Sequence, residues 1–153
     1  MNQISYVLLE EVVPEELLVL LNKEKTRAHL MEHPPFTVDT VKEWVKAKAE
    51  VNTSPGCKVR AVLVDGKLAG WCGIQFENGY YEIAIVIGEN YWGLGKGIFR
   101  DLMDWAKGLG HQEVLIHFLY TRPEYKFLRK IAKSVYSSEL AGTRFTTYEL
   151  AVI

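Results

Sequence analysis

Trp92-Gly93-Leu94-Gly95-Lys96-Gly97 is the stretch on which the fold of this chain turns. It follows an apolar run, Glu82-Ile83-Ala84-Ile85-Val86-Ile87, and precedes Ile98, Phe99, Leu102, Met103, Ala106 and Leu109 at helical spacing. A strand that passes through a glycine-rich turn into a helix makes an anion site. The first-turn N–H groups have no partner within the helix, and the positive end of the helix dipole points outward. Glycine at 93, 95 and 97 lets backbone approach a phosphate closely and permits positive φ. Lys96 and Arg100 stand ready to add charge.

Outward from the loop, the chain before it reads as an antiparallel meander. Val59–Val64, Leu68–Phe76 and Tyr81–Ile87 are three strands, joined at Asp65-Gly66 and Asn78-Gly79. Asp-Gly and Asn-Gly suit type I′ turns, which need positive φ at both central residues. Ahead of the meander, Tyr6–Val13 reads as a first strand. Pro14 then opens a helix, where a missing N–H costs nothing, and Thr37 caps a second helix with Val38, Val41, Trp44, Val45 and Ala49 on one face. After the loop, the glycine helix ends near Gly110, and Val114–Tyr120 is apolar on both faces, as suits a central strand. Thr121-x-x-Glu124 is a capping box ahead of a helix carrying Phe127, Leu128, Ile131 and Ala132. Ser134–Ser138 and Phe145–Ala151 close the chain as strands joined through Gly142. The expected order is β-α-α-β-β-β-α-β-α-β-β, an α/β (α+β) domain over residues 1–153, with a mixed sheet of about seven strands and about four helices.

Composition narrows the function. A formal net charge of -1 gives no electrostatic case for nucleic acid or for an anionic membrane. No early run resembles a secretory signal or spans a bilayer, so a cytoplasmic protein is expected. Cys57 and Cys72 form no CxxC spacing, and no His, Cys and carboxylate cluster has metal-ligand spacing, so no metal is expected.

Three nucleotide motifs compete for the loop. A P-loop needs GxxxxGK followed by Ser or Thr, whereas Lys96 is followed by Gly97. A Rossmann fingerprint needs GxGxxG between parallel strands, whereas the spacing here is GxGxG after a meander. The acyl-CoA loop of the GNAT superfamily, Q/R-x-x-G-x-G/A, is met by Gly95 and Gly97, with Gly93 at a position often glycine in relatives. Trp92 departs from it, standing where Gln or Arg is usual. The order of elements also matches that fold across nearly the whole chain. The chain thus resembles the GNAT N-acetyltransferases, and its phrasing is similar to the ribosomal-protein N-terminal acetyltransferase branch.

The resemblance implies acetyl-CoA lying between the fourth and fifth strands. Its pyrophosphate would rest on Trp92, Gly93 and the amides of Leu94, Gly95, Lys96 and Gly97, with Arg100 nearby, and its pantetheine arm along Ile85, Val86 and Ile87. It implies direct attack of a primary amine, of a small molecule or a protein, on the thioester, with a general base and a general acid. Glu82 is the candidate base, sharing a strand face with Ala84 and Val86. The competing reading is an edge glutamate that meets solvent. The family's Asn and Tyr positions at the fourth helix fall on Thr121 and Leu128, so Tyr125 is the candidate acid, against a purely packing role on Leu128 and Ala132. His117 fits a satisfied core histidine better than a base, and His33 a solvated loop. Trp44 and Trp71 read as core. A non-catalytic acyl-CoA-binding module remains the alternative. Many relatives pair, which leaves a homodimer open.

Overall fold

The computed structural model describes residues 3–23, 35–120, 125–140 and 142–153. Its elements are β1 (Ile4–Val7), α1 (Pro14–Asn22), α2 (Val38–Thr53), β2 (Lys58–Val64), β3 (Lys67–Glu77), β4 (Tyr80–Ile87), α3 (Gly95–Gly108), β5 (Glu113–Leu119), α4 (Lys126–Ile131), β6 (Ala132–Leu140) and β7 (Thr143–Ala151). The seven strands form one sheet in the order β1-β2-β3-β4-β5-β7-β6. Every pair is antiparallel except β4 with β5. No helix among the described residues is long and apolar enough to cross a membrane.

Both hairpin turns form as their sequences require. Asp65 and Gly66 have φ of 52° and 82°, and Asn78 and Gly79 have 52° and 84°. Side chains then alternate across β4. Ile83 and Ile87 join one core with Ile98, Phe99 and Leu102 of α3 and Ile116 of β5, while Ala84 and Val86 pack with Leu17 of α1, Val41 of α2 and Trp71 of β3. So α3 and α4 lie on one face of the sheet, and α1 and α2 on the other. Trp71 is 5% exposed, and Trp44 packs edge-on against it at 5.4 Å, so both belong to the core as expected.

Four boundaries differ from the sequence reading. The first strand ends at Val7, and Leu9–Glu11 forms a 3-10 turn instead of continuing it. The adjacent apolar pairs Leu8-Leu9 and Val12-Val13 break strict alternation. The turn packs against α2 and buries Leu9 and Val12 in one cluster with Leu17 of α1 and Val41 of α2, and the Glu11 carboxylate accepts from the Leu8 N–H at 3.1 Å. The glycine helix stops at Gly108, and Gly110, at φ 88°, lets the His111 N–H reach back to the Ala106 carbonyl at 3.0 Å. The fourth helix starts only at Lys126, with Tyr125 at its N-cap position and no side-chain cap. Thr121 and Glu124, the expected capping box, lie outside the described residues, as does His33. Finally, Ala132 opens β6 opposite Leu150, so the sheet ladder ends the helix one residue before Ala132.

Candidate active site

The central pair of strands separates. β4 and β5 register in parallel at Glu82↔Leu115 and Ile83↔Ile116, and among the described residues the ladder stops there. β4 continues to Ile87 while held by β3 down to Gly70↔Ile87, and β5 continues to Leu119 while held by β7 at Leu119↔Phe145. Each strand therefore keeps one complete ladder and turns its other edge into a wedge-shaped opening. Ile85, Val86 and Ile87 form one side of it, as the sequence places them.

At the end of β4 the chain makes a 3-10 turn over Glu89–Leu94 and enters α3 at Gly95. Leu94 occupies the N-cap position and supplies no side-chain cap. None of Gly93, Gly95 and Gly97 has a positive φ, which corrects one of the two reasons given for glycine here. The other reason, open approach, holds. A Cβ at Gly93 would meet nothing within 4 Å, at Gly95 only Ile87 Cδ1 at 3.8 Å, and at Gly97 only Ile4 Cδ1 at 3.9 Å. Internal packing thus makes no demand for glycine at these positions. Lys96 is exposed, with Nζ 4.9 Å from the centre of the Phe127 ring of α4, and Arg100 is exposed one turn further on.

Glu82 is not an edge residue dissolved in water. It sits on β4 opposite Gln75 of β3, and its side chain is 16% exposed. Its carboxylate Oε2 lies 3.2 Å from Nε2 of His117, itself 14% exposed. His117 Nδ1 lies 2.7 Å from the Thr147 hydroxyl, and Thr147 is hydrogen-bonded in turn to Ser138. Lys48 of α2 donates to the Gln75 amide oxygen, with its Nζ 4.7 Å above the Trp71 ring. Burial pushes the Lys48 amine below its ordinary range, against the opposing pull of Glu77 and Glu82. Among the described residues, the buried indole Nε1 of Trp71 meets no hydrogen-bond partner.

Tyr125 lies on the other side of the sheet. Its ring tilts against Phe118 at 4.7 Å, and its backbone N–H donates to the Tyr148 hydroxyl at 3.2 Å. Leu128, at the position where the resemblance would place a tyrosine, is 3% exposed. Glu82 and Tyr125 are thus brought to opposite faces, with the opening between β4 and β5 between them. Thr147, Ser138, Gln75 and Lys48 were not singled out from sequence. The visible signal for the first was Thr146-Thr147 between Phe145 and Tyr148, but nothing local says which of the two meets His117.

Comparison with known proteins agrees with this geometry. A model of the acetyltransferase (GNAT) family matches residues 18–131. A search of curated proteins finds no match. Among solved structures, spermidine N-acetyltransferase from Vibrio cholerae, in complex with CoA and spermine, superposes with a TM-score of 0.74 at 13% identity, covering 99% of this chain and 95% of that one. An N-acetyltransferase from Staphylococcus aureus gives 0.73 at 15% identity, with 100% and 99% covered. A protein from Salmonella typhimurium, solved with its cofactor acetyl-CoA, gives 0.66 at 14% identity, with 100% and 95% covered.

Proposed function

The chain belongs to the acetyltransferase (GNAT) family, and from that premise we propose that it transfers acetyl from acetyl-CoA to a primary amine, of a small molecule or of a protein or peptide, with Glu82 as general base. The observation that carries this reading is the ladder between β4 and β5 ending at Ile83↔Ile116, with the glycine-rich start of α3 close behind. An extended amide-bearing arm can lie along β4 at Ile85–Ile87, past the end of its ladder with β5, as an added strand. A pyrophosphate suits the region of Trp92, Gly93, Leu94, Gly95, Lys96 and Gly97, where glycines leave room, the helix dipole is positive, and Lys96 and Arg100 add charge. The cosubstrate supplies an activated thioester.

The remaining chemistry falls to this chain. Glu82 takes the proton of the incoming ammonium, freeing the nitrogen lone pair to form the new C–N bond as the C–S bond breaks. A backbone N–H on the open edge of β4 is placed to receive the carbonyl oxygen as it gains charge. Tyr125 is the side chain proposed to return a proton to the leaving sulfur. Glu82 on the α1/α2 face and Tyr125 on the α3/α4 face suit those two tasks, because the amine approaches the reacting carbon from one side and the thiol leaves it on another.

The test has two stages. CoA and acetyl-CoA raise the melting temperature while NAD and ATP do not, since a ligand bound only by the folded state stabilises it. Thiol release from acetyl-CoA is then measured against a panel of amines, and Glu82→Gln lowers kcat on every active one. Thermal shifts with NAD or ATP but not CoA would sink the reading. Binding of CoA without thiol release from any amine would leave an acyl-CoA-binding module in its place.

A further inference from the structure

The mechanism above leaves His117 and the two hydroxyls behind it without a task. A carboxylate can only accept, so the 3.2 Å contact between Glu82 Oε2 and His117 Nε2 requires a proton on Nε2 while Glu82 is ionised. That assignment removes the Nε2 lone pair from reach of a substrate, so His117 cannot itself act as the base through that atom. In the neutral ring Nδ1 is then an acceptor, and the Thr147 hydroxyl at 2.7 Å must donate to it. Ser138 donates to Thr147 in turn, completing the chain Ser138–Thr147–His117–Glu82. Thr147 is 0% exposed, and its place opposite His117 is fixed by the β5–β7 register, so the ring is held from behind by a rigid strand. The Phe145 ring stands edge-on to the imidazole at 6.1 Å and further restricts its tilt.

We propose that His117 is a positioning residue for Glu82. Its Nε2–H holds Oε2 of the carboxylate and turns the other oxygen toward the ammonium, while Thr147 and Ser138 fix the imidazole in the tautomer that can donate. Among the described residues no other hydrogen bond to Glu82 competes for that second oxygen. The inference rests on Glu82 being the base. It differs from a structural role in requiring a hydrogen-bond donor at one atom, not a ring of a given size.

Four variants and a pair of spectra test it. His117→Leu removes the donor, and kcat falls at least tenfold with the KM for acetyl-CoA unchanged, as expected when a reacting group loses its orientation. His117→Gln, whose amide nitrogen can sit near the same point, recovers most of that loss. A ring needed only for packing would show no such recovery. In the 15N spectrum of the unliganded protein, the neutral His117 ring carries its proton on Nε2, and Thr147→Val leaves a mixture of tautomers. That spectrum needs no acceptor amine and does not depend on how well the Leu variant folds. A neutral ring protonated on Nδ1, or a Leu variant with the wild-type kcat, overturns the proposal. If Glu82→Gln is inactive while His117→Leu turns over normally, only the positioning role falls. If Glu82→Gln keeps wild-type turnover, the base assignment falls with it.

Discussion

Replacing Gly97 by alanine should make this protein more stable and a poorer CoA binder at once. Gly97 is the third residue of α3, its φ is not positive, and an added Cβ meets only Ile4 Cδ1 at 3.9 Å, an ordinary contact. Nothing in the fold therefore opposes the methyl group. Alanine within a helix is favoured over glycine by about 0.5–1 kcal/mol, chiefly because glycine loses more backbone freedom on folding. For a domain of this size each kcal/mol moves the melting temperature by roughly 2–4 °C. The ligand-free variant should thus melt about 1–4 °C above wild type. On the ligand side, CoA at a hundred times its Kd stabilises wild type by about 2.7 kcal/mol. If the methyl group weakens pyrophosphate binding tenfold, about 1.4 kcal/mol of that disappears and the CoA-induced shift is roughly halved. Paired melts with and without CoA, on wild type and variant, read both quantities. A variant that melts below wild type would show that the glycine serves the fold. One that is stabilised yet keeps the full CoA shift would show that no ligand comes close at this position.

Gly70→Ala should do the opposite for a steric reason. A Cβ there would stand 2.0 Å from the Val86 carbonyl oxygen, which is backbone and cannot rotate away, so β3 and β4 must part. Destabilisation should reach the upper end of the roughly 1–3 kcal/mol of overpacking, or exceed it, in urea unfolding; a loss below about 0.5 kcal/mol would contradict the tight strand contact. The Cys72 thiol is 0% exposed, and burial, followed by the charge of Asp101, pushes its ionisation up, with Arg60 and Lys58 pulling the other way. Because the folded value is raised, this contribution to stability is complete below about pH 8.5, where the unfolded thiol is still protonated, and declines above it by about 1.4 kcal/mol per pH unit. Urea midpoints between pH 8 and 10 should therefore fall more steeply for wild type than for Cys72→Ala. Parallel slopes in the two proteins would remove the thiol as the cause.

The turns and faces of this fold were legible because they follow from local chemistry. Asp65-Gly66 and Asn78-Gly79 can adopt a backbone most residues resist, and the alternation from Tyr81 to Ile87 divides cleanly between two helix layers. The end of β1 was harder, since Leu9 and Val12 are as apolar as strand residues and only their burial in the cluster with α1 and α2 decides their conformation. The end of α4 was misjudged because β6 recruits Ala132 into its ladder with Leu150, a choice made by a partner in β7 rather than by helix propensity. In the candidate site, the wedge edge and the glycine turn could be read, but the company of Glu82 could not. β4 and β5 are parallel and joined through α3, so no tight turn fixes their register. His117 therefore looked like a core histidine, and only the assembled sheet brings it to Glu82, with Thr147 behind it.

The position of the split in the sheet explains why the two halves of the proposed site face apart. Ile83 is the last residue of β4 to pair with β5, and Glu82 lies immediately before it on the α1/α2 face. Lys96 and Tyr125 belong to the α3/α4 side, each against aromatic side chains there. Had the parallel ladder continued to Ile87, the backbone edges of β4 and β5 would pair with each other and close the sheet between the proposed base and its target. The remaining ladders, β3 on β4 and β7 on β5, keep both strands in place where the β4–β5 ladder has ended. The same β7 strand that holds β5 open carries Thr147, so the ladder that maintains the opening also sets the histidine behind Glu82. A change that loosens β5 from β7 should therefore disturb the cosubstrate cleft and the base together, whereas one at the α3 N-terminus should touch the cleft alone.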